Sequence, residues 1–119
     1  MKIFTQSDGR KYWRGYLTQV GETAPVATVV ENTLGGTIVW SYVDVGMYYG
    51  TLTGTFSATK TFVTQKHCAI YDGNGMKYEM TVGCDDSDNR IVVLTFPDDS
   101  TDGANSVLSN QPIEIIVVP

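Results

Sequence analysis

The side chains with the most reactive chemistry in this 119-residue chain are one histidine and two cysteines. His67 is the only histidine, which excludes sites built on two or more, and it directly precedes Cys68. Nucleophilic catalysis by such a pair requires the two side chains to touch. Adjacent residues of a strand point to opposite faces of a sheet. We therefore predict that His67 and Cys68 form no catalytic pair and that the chain is not an enzyme.

The second cysteine, Cys84, lies far from Cys68, and neither belongs to a CxxC pair. A disulfide between them requires that their strands be neighbours with close Cα atoms. We favour two free, half-buried thiols, with a disulfide as the alternative.

An acidic stretch near the C-terminus has the spacing of a calcium loop. Asp98, Ser100, Asp102 and Gly103 match its first, third, fifth and sixth positions, where oxygen ligands and then a sharp glycine turn are needed. Ser109 stands where the bidentate glutamate of an EF-hand belongs, which excludes that motif. Acidic loop residues are commonly solvated, so we predict no metal and no cofactor. A weak calcium site at Asp98 and Asp102 is the alternative.

Aromatic residues are plentiful, with seven tyrosines and two tryptophans. Trp40 and Tyr42 share one face of the most apolar strand, so we predict that they lie in the core. Trp13, Tyr48 and Tyr49 belong to adjacent aromatic pairs, and one member of each pair must face away from the core. These three residues are our candidates for a ligand-binding or partner-binding surface, since exposed aromatics mark both sugar sites and protein interfaces.

The elements that position these residues are short segments of alternating apolar and polar side chains, the pattern of strands. Gly15 interrupts the first strand and predicts a bulge or close packing there. Gly35-Gly36 and the Asp-Gly and Asn-Gly pairs within residues 72–75 predict tight turns. The predicted strands are 12–20, 27–33, 37–45, 47–56, one or two within 61–71, 76–82, 90–96 and 113–118.

The last of these strands, Ile113 to Val118, is almost continuously apolar, which predicts burial on both faces or a place in a subunit interface. No segment of ten or more residues shows a helical apolar period. We predict an all-β chain with little or no helix, folded as an antiparallel β-sandwich or a jelly-roll-like fold of seven to nine strands. Its length suits one domain over residues 1–119.

Charge and hydropathy exclude several classes of partner. The net charge of −5 and the pI near 4.5 provide no basic face for phosphates, so we predict no nucleic-acid binding. No segment approaches the roughly 20 apolar residues of a membrane-spanning helix, so we predict no membrane partner. The first residues lack the apolar region of a secretory signal, which predicts cytoplasmic synthesis, or a leader that has been removed.

The segment RGYLTQVGETAPVATVVENTLGGTIVWSYVDVGMYYGTLTG resembles a recurrent module of small proteins encoded by tailed bacteriophages and by their relatives integrated in bacterial genomes. In that module a Y-x-x-x-L-x-Q start leads to APVATV, ENTLGG, a V-W strand and a G-x-Y-x-G-T-L-T-G strand. The corresponding residues here are Tyr12 or Tyr16 with Leu17 and Gln19, then 24–29, 31–36, Val39-Trp40 and 46–54. The resemblance covers roughly the first half of the chain.

This resemblance implies a virion-associated protein, such as a head-fibre, decoration or tail-fibre domain, and transfers no active-site residues. We expect a non-enzymatic structural or interaction module that forms homo-oligomers or binds other phage structural proteins, located in the virion or the bacterial cytoplasm. The alternative is a carbohydrate-binding β-sandwich whose exposed tryptophan and tyrosine side chains hold a glycan.

Overall fold

A computed structural model describes residues 9–85, 87–98 and 102–119. In these residues the chain is all-β, with two antiparallel sheets and no helix, as predicted. The described segments thus contain no helix long and apolar enough to cross a membrane. The strands are β1 Lys11–Thr18, β2 Val26–Asn32, β3 Val39–Asp44, β4 Met47–Thr51, β5 Thr61–Val63, β6 His67–Tyr71, β7 Lys77–Cys84, β8 Arg90–Pro97 and β9 Gln111–Val117.

The two sheets stack as a β-sandwich. The four-stranded sheet has the order β2-β1-β9-β5, and the five-stranded sheet has the order β3-β4-β8-β7-β6. Trp13 of β1 packs on Trp40 of β3, with ring centroids 5.8 Å apart, whereas β5 contacts β7. The edge strands β2 and β3 therefore lie on one side of the sandwich, and β5 and β6 lie on the other.

The core forms because alternate residues of the inner strands point between the sheets. Leu17 and Ile115 come from the four-stranded sheet, and Val82, Ile91 and Val93 come from the five-stranded sheet; all five are fully buried. Burial of each side chain of this size contributes about 1.5–3 kcal/mol, so this layer supplies much of the drive to fold.

Gly15 both breaks the strand register and admits a large side chain, as its position in the sequence predicted. The β1–β2 register shifts between Arg14 and Gly15, so that Val30 is an extra residue on β2. A Cβ atom at Gly15 would lie 2.7 Å from the Thr28 carbonyl oxygen and 2.8 Å from Trp13 Cη2. The absence of a side chain at Gly15 thus lets the indole of Trp13 fill the core beside the bulge.

Two strand predictions need correction. The strand predicted to extend to Phe56 ends at Thr51, because the chain turns there and places Phe56 in the core. The C-terminal strand β9 is central in its sheet but is buried on one face only, so the predicted burial on both faces is wrong and a place in a subunit interface stays a prediction. Ile113 and Ile115 point into the core, whereas Glu114 and Ile116 are half-buried on the outer face.

Candidate interaction surface

The predicted aromatic surface is wrong for two of its three residues. Trp13 is 1% exposed and Tyr48 is fully buried, while Tyr49 is half-buried on the outer face with the Arg90 guanidinium 4.2 Å above its ring. The structure therefore does not bring the three together on one face. Alternation puts Trp13 in phase with Leu17, and Tyr48 in phase with the core side of β4.

The other predicted chemical groups are also apart. His67 is exposed and its Nε2 lies 2.7 Å from the Glu79 carboxylate, whereas Cys68 points towards the core, as the alternation predicted. Cys68 and Cys84 are free, half-buried thiols, and burial raises the pKa of both. Neither thiol is activated as a nucleophile, because activation requires a lowered pKa.

The acidic loop residues differ in their surroundings. The Asp98 carboxylate lies 3.3 Å from Lys77 Nζ, and Asp102 is exposed. Ser100, the intervening candidate ligand, lies outside the described residues. Within the described segments no group of three or more His, Cys, Asp or Glu side chains is placed to hold a metal ion.

One side of the sandwich carries a concentration of exposed valines. Among the described residues, six valines between positions 26 and 45 are exposed to solvent, including Val26 at 69% and Val30 at 65%. They belong to β2, to β3 and to the turn that follows β3. We call this surface the valine edge; its members are Val26, Val29, Val30, Val39, Val43 and Val45.

The backbone of the valine edge is open as well. In the part of the chain that the structure describes, β2 and β3 each have one neighbouring strand, and no backbone–backbone hydrogen bond outside the strand ladders reaches residues 26–32 or 39–44. A strand in this position presents a row of unpaired N–H and C=O groups. Each strand has one register irregularity, and the extra residue is Val30 in β2 and Val43 in β3. The bulges thus present valine rather than a polar residue to solvent.

Charge is scarce along this edge. Residues 23–59 contain only two of the chain's charged side chains, Glu31 and Asp44. Glu31 forms an ion pair with Arg14, which also pairs with Glu114. Hydrogen bonds from Thr64 and then from Arg14 lower the pKa of Glu114. Depletion of charge is typical of the centre of a protein interface.

A buried polar network holds the turn that leads into β2. The Gln19 side chain is 1% exposed; its Oε1 accepts hydrogen bonds from the Tyr48 hydroxyl at 2.7 Å and from Ser106 N at 2.8 Å. Its Nε2 donates to the carbonyls of Gly21 at 2.7 Å and Thr23 at 3.0 Å. Burial raises the pKa of Tyr48, so its hydroxyl stays protonated and donates. Sequence reasoning missed this network, although Gln19 stands in phase with Trp13 and Leu17 and thus on the core side.

The opposite side of the sandwich, formed by β5 and β6, is built differently. β5 has only three residues, and the lysines Lys60 and Lys66 flank it. The carbonyl of Lys60 accepts a backbone hydrogen bond from Val118, just after β9, and that of Lys66 accepts one from Val82 of β7. We call this side the blocked edge, because short strands and lysines are recognised protections against strand addition.

A cleft of about 450 Å³ lies at the end of the β6–β7 hairpin. Tyr71 is strongly exposed there, and Tyr78, Asp72, Ser106 and Ser109 also line the cleft. Asp72 Oδ1 accepts hydrogen bonds from Asn74 N and Met76 N and so shapes the turn.

Comparison with protein-family models, with curated proteins and with solved structures gave no match.

Proposed function

We propose that this chain is a non-enzymatic structural module of a phage or prophage virion, which self-assembles or binds a partner through the valine edge. The observation that carries the proposal is the concentration of six exposed valines on two successive edge strands whose outer backbone groups are unpaired. Single exposed apolar residues are ordinary on a protein surface, but a contiguous set on open strands indicates a contact site.

The energetics of the edge favour this role. Exposing β-branched apolar side chains on an open strand risks aggregation, and proteins protect such strands with lysine, proline, short length or bulges. β2 and β3 each carry one bulge, but between their first and last residues they contain neither lysine nor proline. Covering the valines with a partner removes apolar area from water, at about 25 cal/mol per Å², and pairs the free backbone groups.

The virion context rests on the sequence resemblance, which covers the strands of the valine edge. Residues 14–54 form most of β1 and all of β2, β3 and β4, which are the strands that make and support the valine edge. The half of the chain that resembles phage proteins is thus the half that carries the open strands.

The proposal is tested on phage particles from a strain that encodes the chain, purified by density-gradient centrifugation. We expect the chain to band with the particles at a fixed ratio to the capsid protein, measured by mass spectrometry. The double variant V30K/V43K should be lost from the particle fraction, whereas the Ala69→Lys variant, altered on β6, should still band with the particles. A wild-type chain found only at the top of the gradient, away from the capsid protein, would contradict the proposal.

A carbohydrate-binding module is the second candidate function, and the cleft at Tyr71 favours it. Aromatic faces stack on sugar rings, and carboxylates and hydroxyls bond to sugar hydroxyls. Tyr71, Asp72 and Ser109 supply these groups at one site. A glycan array should then give a signal that Tyr71→Ala abolishes and Tyr49→Ala retains. No signal, or one unaffected by Tyr71→Ala, would eliminate this candidate.

A further inference from the structure

We infer that β2 pairs antiparallel with β2 of a second copy of this chain, so that the four-stranded sheet continues into an eight-stranded sheet across a two-fold axis at Thr28. This inference rests on the proposed function, since it names the occupant of the valine edge. A two-fold contact uses the same surface patch on both subunits, so that patch must complement itself. β2 meets this requirement in its register, its faces and its charge.

The register follows from matching residues across the axis. Antiparallel pairing centred on Thr28 places Thr28 opposite its own copy, Ala27 opposite Val29, and Val26 opposite Val30, the residue that bulges from the β1–β2 ladder. Val26 and Thr28 lie on the outer face, because they pair with the outward residues Thr18 and Tyr16 of β1. Thr–Thr and β-branched cross-strand pairs are favourable combinations on a sheet.

The inner side of β2 fits the same register. Ala27 pairs with the buried Leu17 and Val29 with the buried Gly15, so both point to the inner side of the sheet. Val29 is nevertheless 50% exposed, since nothing beyond the edge covers it. A second copy would place Ala27 beside Val29 and cover that exposed side.

Charge permits the contact despite the net charge of −5 on each chain. Glu31 is the only charged residue of β2, and it forms an ion pair with Arg14, which Glu114 shares. In the register centred on Thr28, Glu31 lies opposite Pro25, so the two Glu31 carboxylates do not face each other. Repulsion between more distant charges is screened beyond about 8–10 Å at physiological salt.

The size of the contact sets the expected affinity. A strand of seven residues spans about 23 Å at 3.3 Å per residue, which makes a contact smaller than the 1,200–2,000 Å² of a stable interface. We therefore expect a weak dimer whose population rises with protein concentration.

The test uses charge reversal at the axis. Thr28 is exposed at the edge, so Thr28→Lys and Thr28→Glu should fold, as judged by urea unfolding. Sedimentation velocity from one to several hundred micromolar should show a monomer–dimer equilibrium for wild type. Each variant alone should be at least tenfold weaker, because like charges would face each other across the axis. An equimolar mixture, one chain isotope-labelled, should form heterodimers in native mass spectrometry.

Two controls separate the register from a general effect of charge. Thr59→Lys changes the same residue type in an exposed loop beside β5 and should dimerise like wild type. The double variant V26K/V30E would place each new lysine opposite a new glutamate and should dimerise, whereas V26K/V30K should not. Failure of V26K/V30E to dimerise while it remains folded would overturn this register.

The remaining outcomes separate this inference from the proposed function. A wild-type chain that stays monomeric at every concentration would overturn the homotypic pairing, as would a dimer that Thr28→Lys leaves intact. Neither result touches the proposed function, which the banding of the chain with phage particles decides independently. If the chain bands with particles but remains monomeric in isolation, the valine edge binds a different protein of the particle.

Discussion

The two sides of the sandwich differ in how far their edge strands are exposed to strand addition. On the blocked edge β5 is cut to three residues, and the carbonyls of the flanking Lys60 and Lys66 accept backbone hydrogen bonds from Val118 and Val82. On the valine edge β2 runs for seven residues and β3 for six, and their bulges expose Val30 and Val43. Both sides belong to the same two sheets, so their difference does not follow from the fold class. The proposed function attributes this difference to a contact made by the open side.

The largest expected effect concerns the buried support of the valine edge. Gln19→Leu should lower the free energy of unfolding by about 2–4 kcal/mol. It removes the acceptor of Ser106 N and the donor to two carbonyls, and it leaves the Tyr48 hydroxyl only the longer contact to Asn105 Oδ1, at 3.4 Å. Urea denaturation measures the change. Gln111→Leu is the matched control and should cost less than about 1 kcal/mol, since its contact to Cys68 Sγ is long, at 3.7 Å. Equal losses of stability in both variants would contradict a stabilising role of the Gln19 network.

The next effect tests the packing behind the β2 bulge. Gly15→Ala should destabilise the chain by about 1–3 kcal/mol, because the added methyl meets the Thr28 carbonyl oxygen and the buried Trp13 ring. Gly83→Ala on β7 is the control; nothing lies within 4 Å of its added Cβ, so stability should stay the same or rise slightly. Thermal unfolding by circular dichroism distinguishes the two. A Gly15→Ala chain as stable as Gly83→Ala would show that the bulge tolerates a side chain.

A third prediction compares the two sides of the sandwich directly. Val30→Lys and Ala69→Lys both add one exposed lysine to an edge strand, so each should change stability by no more than about 0.5 kcal/mol. Only Val30→Lys should reduce self-association in sedimentation velocity, because it charges the open side. If Ala69→Lys were the variant that dissociated the assembly, the functional assignment of the two edges would be reversed.

The smallest effect lies in the turn between the inner strands β7 and β8. Hydrogen bonds from Ser87, and then the Arg90 guanidinium, lower the pKa of Asp85 from 3.8 to about 2. Its carboxylate therefore stabilises the fold above about pH 4, and this contribution disappears as the pH falls towards 2. Asp85→Asn should reduce the loss of stability over that interval by less than about 1 kcal/mol, as expected for a surface pair. Unfolding curves at pH 6, 4 and 2 measure it, and identical pH slopes in both chains would contradict it.

Local sequence pattern predicted most of the strands and misplaced the aromatic surface. Alternation located the strands to within a few residues, and adjacent aromatic residues do point to opposite faces. The assignment of Trp13 and Tyr48 to the surface was wrong, because alternation does not tell which face of a strand is covered. Gly15, two residues along β1 from Trp13, leaves space for the indole on the core side. The Tyr48 hydroxyl donates to Gln19, a contact between distant parts of the chain that alternation along one strand does not relate.

The valine edge could be predicted only in part from the sequence. A run such as VATVV predicts a strand, but it reads the same whether the strand is central or terminal in a sheet. The order β2-β1-β9-β5 is set by pairing between the first and last strands of the chain, which no local pattern encodes. The exposure of Val26 and Val30 follows from that order. The charge depletion of residues 23–59, by contrast, is visible in the sequence and was the available signal.

The three residues of β5 limit how far strands can be added to this molecule. So short a strand offers too few backbone groups to template another chain. If two molecules pair through β2 as inferred, the combined eight-stranded sheet ends in β5 on both sides and cannot be extended further. Pairing through β2 would then give a closed dimer of the four-stranded sheets and no open-ended filament.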